Sequence, residues 1–589
     1  MRKVFISLAI VAIIFLGGGL LLSQQSADDA KFQKMLDTYF DELWKFYPTA
    51  ATLAGVYKYN DKLDDLSSRN IERRHEQLDQ FNGEIVAKMA KDKLSPDRQV
   101  EHEMMIDAID LEFVKFESML PWEYNPIYYN EIILNSIRGL LTKEFAPIDA
   151  RIKSATLRAK AIPDLIKTAK ENLKTPPQYY TETAVKQLPA IIDFFKTEAP
   201  QLTDKASANL KTSFQAEIGK ALAALDDYQA FLKNTLLPKS TGNFRLGDQA
   251  HVRLLRLTAQ NSIPIQDVIA RAKADYNTIR REMFLVCIPF YRIMYPNVNL
   301  EQLTTQRGEE EVRTAVIKGV FDKIKTEHPS KEEFINRIKG SADEIKSFIS
   351  QNKLFDIPEE NLTIEPMPQA LRGTLWSRLV SPGAYENGGP YTCQIMPIPD
   401  DWSPDIATSF LEDYTNYYLY FWTIEKVFPG SFVPTFFARK DPSLVKRIFP
   451  NQLLLKAWPL FTEEMLINAG FGNYDLRLRL NQLKLQLKSV IDFNIELNIH
   501  QGTMTKEQAI AYMTKGGFQT QAEAERKWNY IGLNPGESAY AYMGFQEILD
   551  MEKDYKKLKG DAFSQKEFLQ KLLSYGALPL RTLKIRMAQ

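Results

Sequence analysis

Residues 32–46 read FQKMLDTYFDELWKF and residues 268–286 read VIARAKADYNTIRREMFLV. In both, apolar side chains return every three or four positions, which on a 3.6-residue period forms one stripe along a helix. The same recurrence runs from Ala30 to about Leu354 and again from Ser403 to the end. It is interrupted where proline and glycine collect, at Pro48, Ser95-Pro96, Pro176-Pro177, Pro200, Lys239 to Gly247 and Pro296. Between about 355 and 400 the texture changes to FDIPEENLTIEPMPQALRG (355–373) and PGAYENGGPYTCQIMPIP (382–399), proline-rich with short apolar alternations that predict a few strands or extended loops. The predicted fold is mostly α, a large helical body around a cleft with a small β or irregular insert. Three parts are expected: residues 1–27, a helical part over 28–354, and a part over 355–589.

Composition narrows the function. Lys plus Arg and Asp plus Glu both number 74 in 589 residues, so nothing beyond the first few residues offers a field for nucleic acid or anionic lipid. An apolar share of 44% with 11% aromatics supports a folded core throughout. The two cysteines, Cys287 and Cys393, are too few for a disulfide framework; they either pair with each other or sit as small buried apolar side chains. None of the five histidines, His75, His102, His251, His328 and His500, stands four residues from another, so no HExxH exists here. Phosphate loops of the Walker kind and dinucleotide fingerprints are absent too, and no cofactor is expected.

Met1-Arg2-Lys3 precedes an uncharged apolar run over residues 4–22, and Asp28-Asp29 follows. A run of this length matches a membrane-spanning helix, and its flanking charges leave the N-terminus in the cytoplasm. The alternative is a cleaved signal segment. Both readings place the body from about residue 28 in an extracytoplasmic, periplasmic space.

A set of segments then recurs in a telling order: YPTAATLAGVYKYNDKLDDLS (47–67), KAIPDLIKTAKENLKTPPQYYTETAVKQLPAIIDFF (160–195), FRLGDQAHVRLLR (244–256), MTKEQAIAYMTKGGFQTQAEAERKW (504–528), PGESAYAYMGFQEI (535–548) and LLSYGALPLRTLKIRM (572–587). Together they resemble the bacterial domain-of-unknown-function 885 family, whose members are thought to be helical zinc peptidases. The resemblance implies zinc ligands and a base in a His-Glu-x-x-Pro-Gly-His segment and a further ligand in a Glu-Gly-Trp-Ala-Leu-Tyr segment. Here the first reads EKVFPGSF (425–432), placing Glu425 and Ser431 in the histidine slots and Lys426 in the slot of the base. The second reads KAWPLFTEE (456–464), placing Lys456 in the ligand slot beside Trp458. A protonated lysine has no lone pair for a metal and cannot take a proton from water. Two further slots, implied to steady a reaction intermediate, hold Ala541, flanked by Tyr540 and Tyr542, and Leu569. By this alignment no catalytic residue and no metal ligand remains, and Lys456 is expected to pair with Glu425 while Lys426 turns to solvent or to another carboxylate.

Glu496 and His500 stand four apart, which on a helix allows a hydrogen bond or half of a metal site, although structural packing is the commoner meaning. The aromatic run DYTNYYLYFW (413–422) suits core packing or a ligand groove, and Glu463-Glu464 are adjacent rather than facing. The expected function is non-enzymatic: a peptidase-like envelope protein that binds a peptide or protein partner, with Trp458, His500, Tyr540 and Tyr542 as candidate binding residues. The rivals are a hydrolase with a rearranged or non-zinc centre, separated by metal content and peptide cleavage, and a structural member of an envelope complex.

Overall fold

Proline positions organise the first of two compact units, which takes residues up to Lys174 together with Ile192–Phe231. The computed structural model describes residues 27–260, 263–372 and 375–589. The expected anchor or signal at residues 4–22 lies outside the described residues, and among those described no helix is long and apolar enough to cross a membrane.

In the first unit Pro48, Pro96 and Pro126 stand in the first turns of the helices Pro48–Ala54, Pro96–Val114 and Pro126–Thr142. A fixed φ and a missing N–H cost nothing there, so these prolines start helices. The helix Ile148–Asn172 packs against Pro126–Thr142 and Ala208–Phe231. Its buried stripe is Ile152, Ala155, Ala159, Ile162, Ile166 and Ala169, the 3–4 spacing of a helix face. On that face Arg158 is fully buried. Its guanidinium donates to Lys62 O at 2.7 Å, Pro48 O at 2.9 Å, Ser136 O at 3.2 Å, Tyr59 O at 3.3 Å and Thr52 Oγ1 at 2.8 Å. The arginine thereby ties the helix Pro48–Ala54 and the turn after it to the bundle.

The second unit takes Thr175–Ile191 and Leu232–Gln589. Its central helix, Leu476–His500, opens with Asp475 accepting from the Arg477 amide and carries the buried row Leu480, Leu483, Leu487, Ile491, Ile495 and Ile499. That row shares a core with Met283 and Cys287 of the helix Ile265–Met294 and with Val316 and Val320. The helices Gln452–Asn468 and Glu537–Lys559 pack closely: a Cβ on Gly544 would lie 2.6 Å from Leu453 O and 2.7 Å from Ala457 Cβ, so only glycine allows this approach.

The fold is mostly α, and its small β element falls where the sequence changes texture. Strands β1 (Leu362–Pro366), β2 (Ser377–Val380) and β3 (Tyr391–Ile395) form a sheet ordered β1-β3-β2. β1 runs parallel to β3 with Leu362 opposite Tyr391, and β2 runs antiparallel with Ser377 opposite Ile395. This insert lies inside the second unit.

Cys287 and Cys393 are free and fully buried, and burial pushes both thiols up to about 12. Thiolate is the reactive form, so neither should react with an aromatic disulfide reagent at pH 8 in the folded protein, and both should react after denaturation. Rapid labelling of one thiol before unfolding would contradict this packing.

Candidate functional site

The helix Asn416–Lys426 is capped at its start by Thr415, whose hydroxyl accepts from the Tyr418 amide, and it delivers Glu425 and Lys426 at its last turn. The chain then reverses through Gly430, where a Cβ would lie 2.2 Å from Ile424 O. The reversal brings Ser431 Oγ to donate to Glu425 O at 3.0 Å. Lys426 Nζ donates to Glu425 Oε1 at 2.5 Å, and both side chains are partly exposed. Burial pushes the Glu425 carboxyl up, but the charge and hydrogen bond of Lys426 outweigh it and hold the group below its ordinary range.

Lys456, on the helix Gln452–Asn468, differs from expectation. Its ammonium lies 3.4 Å from Glu537 Oε2, which also accepts from Tyr530 OH at 2.6 Å. Glu425 already has a cation beside it in sequence, and the packing of Gln452–Asn468 on Glu537–Lys559 offers Lys456 a carboxylate of its own. The donors at 425, 426, 431 and 456 therefore do not fit a zinc ion: two are ammonium groups, and the glutamate is already ion-paired.

The remaining expected residues are interior. Trp458 is fully buried against Phe355, and its indole N–H has no hydrogen-bond partner among the described residues. Tyr542 donates to Asp275 Oδ2 at 2.7 Å, and Tyr540 and Leu569 are buried. Ala541 is half-buried on the helix Glu537–Lys559. Of the aromatic run, Tyr414 and Trp422 pack on Phe334, whereas Tyr417 and Tyr420 donate to Glu327 and Glu344. Glu463 is buried, and its Oε2 has no hydrogen-bond partner among the described residues. Burial, and then the negative charge of Glu425, push its carboxyl well above the ordinary range. A groove of about 500 Å³ lined by Met551, Asp554, Tyr555, Leu558, Lys584 and Met587 contains none of these residues.

A second cluster centres on Glu496 and His500, which share a face of the Leu476–His500 helix as their spacing implies. Between the two histidines Glu496 Oε1 is the common point. His251 Nε2 lies 3.0 Å from it and His500 Nε2 3.2 Å, while the Gly536 amide donates to it at 2.7 Å. The two imidazoles stack with centroids 4.5 Å apart. Leu246 N donates to His500 Nδ1 at 3.3 Å. Burial raises the Glu496 carboxyl, but the hydrogen bond of His251 and the nearness of both imidazoles prevail and leave it lowered. His251 is the residue that sequence reasoning missed. It lies within the quoted segment 244–256, but a partner 245 positions away leaves no spacing signal.

The family described as "Bacterial protein of unknown function (DUF885)" matches residues 48–587. The chain belongs to this family. Every residue of both clusters falls inside the DUF885 match. A solved structure described as "a putative lipoprotein of unknown function from Shewanella oneidensis" is similar with a TM-score of 0.76 and 23% identity, over 95% of this chain and all of that one. Another, described as a "putative lipoprotein from Colwellia psychrerythraea", is similar with a TM-score of 0.73 and 14% identity, over 95% of this chain and 98% of that one. At these identities the likeness is one of fold. No curated protein matches the sequence.

Proposed function

We propose that this DUF885 member is a non-hydrolytic binding protein of the cell envelope that holds a peptide or protein segment at Glu425, Lys426, Lys456 and Glu537. The observation carrying this reading is the pair of partly exposed ion pairs, Glu425–Lys426 and Lys456–Glu537, at segments the resemblance associates with hydrolysis. Such pairs present both signs of charge to a peptide backbone and its termini. Their two ammonium groups neither ligate a metal nor accept a proton from water. The envelope assignment draws on the apolar run at residues 4–22 and on the two similar structures, each described with the words "putative lipoprotein".

The test is incubation of the full chain with a tryptic digest of casein, with and without added zinc, followed by mass analysis of the free and retained peptides. Peptides should be retained uncleaved. Lys456→Ala should weaken retention about tenfold, the worth of one charge-assisted hydrogen bond. Cleavage of the peptides, or no retention at all, would overturn the reading.

One observation favours a rearranged hydrolase instead. Burial and the charge of Glu425 push the Glu463 carboxyl up while Lys426 holds the Glu425 carboxyl down, the division of labour that acid–base pairs use. On that reading cleavage occurs and Glu463→Gln abolishes it.

A further inference from the structure

We infer that His251, Glu496 and His500 form a binding site for a divalent transition-metal ion of the zinc class inside the second unit. Two imidazoles and one carboxylate are a donor set that suits zinc and its neighbours. One donor atom from each residue can be chosen so that all lie within 4.8 Å of one another. The two spacings to Glu496 Oε1, 3.0 and 3.2 Å, approach the roughly 3.4 Å between donors around a tetrahedral zinc with bonds near 2.1 Å.

Unsatisfied polar atoms supply the second, independent observation. All three side chains are buried, and His251 Nδ1, Glu496 Oε2 and His500 Nε2 have no hydrogen-bond partner among the described residues. His500 Nε2 approaches Glu496 Oε1 but at an angle that makes no hydrogen bond. Buried polar atoms are nearly always satisfied, and of these three His500 Nε2 is the one among the donors facing Glu496 Oε1, so it marks a missing partner at that point. Charge points the same way. The two imidazoles stack 4.5 Å apart beside one fully buried carboxylate, an arrangement in which positive charge is better placed between the donors than on both rings. A dication supplies the positive charge without loading either ring.

Metal uptake has a local consequence. Because Leu246 N donates to His500 Nδ1, the neutral ring of the metal-free protein carries its proton on Nε2. Coordination through Nε2 moves that proton to Nδ1, where it opposes the Leu246 N–H, so this 3.3 Å contact must give way. Phe244 stands edge-on to both His500 and Trp528, with centroids 6.2 and 5.7 Å away. Metal binding should therefore change the emission of Trp528. The ion would also join the helix Asp248–Ala259 to the end of Leu476–His500, a cross-link that binds the folded state alone and raises its melting temperature.

The experiment is equilibrium dialysis of the full chain against zinc and, separately, cobalt, with metal analysis, cobalt absorption spectra, tryptophan emission and thermal melting. About one equivalent should bind, with a tetrahedral cobalt spectrum and a higher melting temperature. His251→Ala and His500→Ala should each weaken binding by more than the 10–100-fold typical of losing an outer-shell partner. Glu425→Gln should bind as the wild type does. His251→Gln serves if the alanine variant does not fold, and the cobalt spectrum of the wild type tests the site without any variant. Only trace metal in the wild type under excess zinc, or equal uptake by folded His251 and His500 variants, would overturn the proposal.

Discussion

Replacing Arg158 with methionine is expected to destabilise the first unit by about 4 kcal/mol. Methionine keeps most of the apolar stem but leaves four backbone carbonyls and the Thr52 hydroxyl without their donor. Each buried acceptor left unmade costs about 1–3 kcal/mol, and breaking a buried charged arrangement by removing one partner typically costs about 3–5 kcal/mol. Burial pulls the Arg158 guanidinium down to about 10, so it still carries its charge near neutral pH. It also sits near the buried Asp64 carboxyl, whose counter-charge would be lost. Hydrogen exchange during guanidinium chloride titration separates the two units, and residues of Ile148–Asn172 should lose protection first in the variant. Lys318→Ala, which breaks an exposed ion pair with Asp322, is the contrast and should leave the midpoint where it was. If the two variants unfold at the same denaturant concentration, the role given to Arg158 is wrong.

Local physics decided how much of this molecule could be read in advance. The helical body and the β insert were legible because periodicity and proline placement act over a few residues. Pro48 and Pro96 were readable as breaks and became helix starts, whereas Pro163 and Pro459 remain inside helices that tertiary packing supports. The register of β1 on β3 was not legible, since nothing in LTIEP names YTCQI as its partner. The texture change near residue 355 marks the insert, while the chain passes between the two units after Lys174, at the Pro176-Pro177 break, and again after Ile191 and Phe231, where the sequence stays helical in character. At the site, Glu496 and His500 were visible as a pair because they are four apart, and His251 was not. The ion pairs show the same limit. Sequence placed cations at 426 and 456, but which carboxylate each one meets depends on packing, and Glu537 lies 81 residues beyond Lys456.

Glu463→Gln is expected to stabilise the protein by an amount that grows with pH. The wild-type carboxyl is buried with Oε2 unpaired, and burial together with the Glu425 charge raises its folded pKa well above the ordinary value. The folded state thus holds this proton more tightly than the unfolded chain does. The stability it contributes is fully present below the unfolded carboxyl value of about 4.3, and it is lost as pH rises toward the folded value. Within that window the loss is about 1.4 kcal/mol per pH unit for one proton. Glutamine stays neutral throughout and is close in shape, so the variant and the wild type should unfold at similar denaturant concentrations near pH 4. They should separate steadily above that, with the variant the more stable at pH 7. Denaturant midpoints measured from pH 4 to pH 8 on both proteins check this directly. A pH-independent difference would mean that Glu463 is already ionised in the folded state, and with it would go the acid–base division on which the rearranged-hydrolase reading depends. A growing difference with no peptide cleavage would leave Glu463 as a buried acid whose cost the fold tolerates, which agrees with a binding protein.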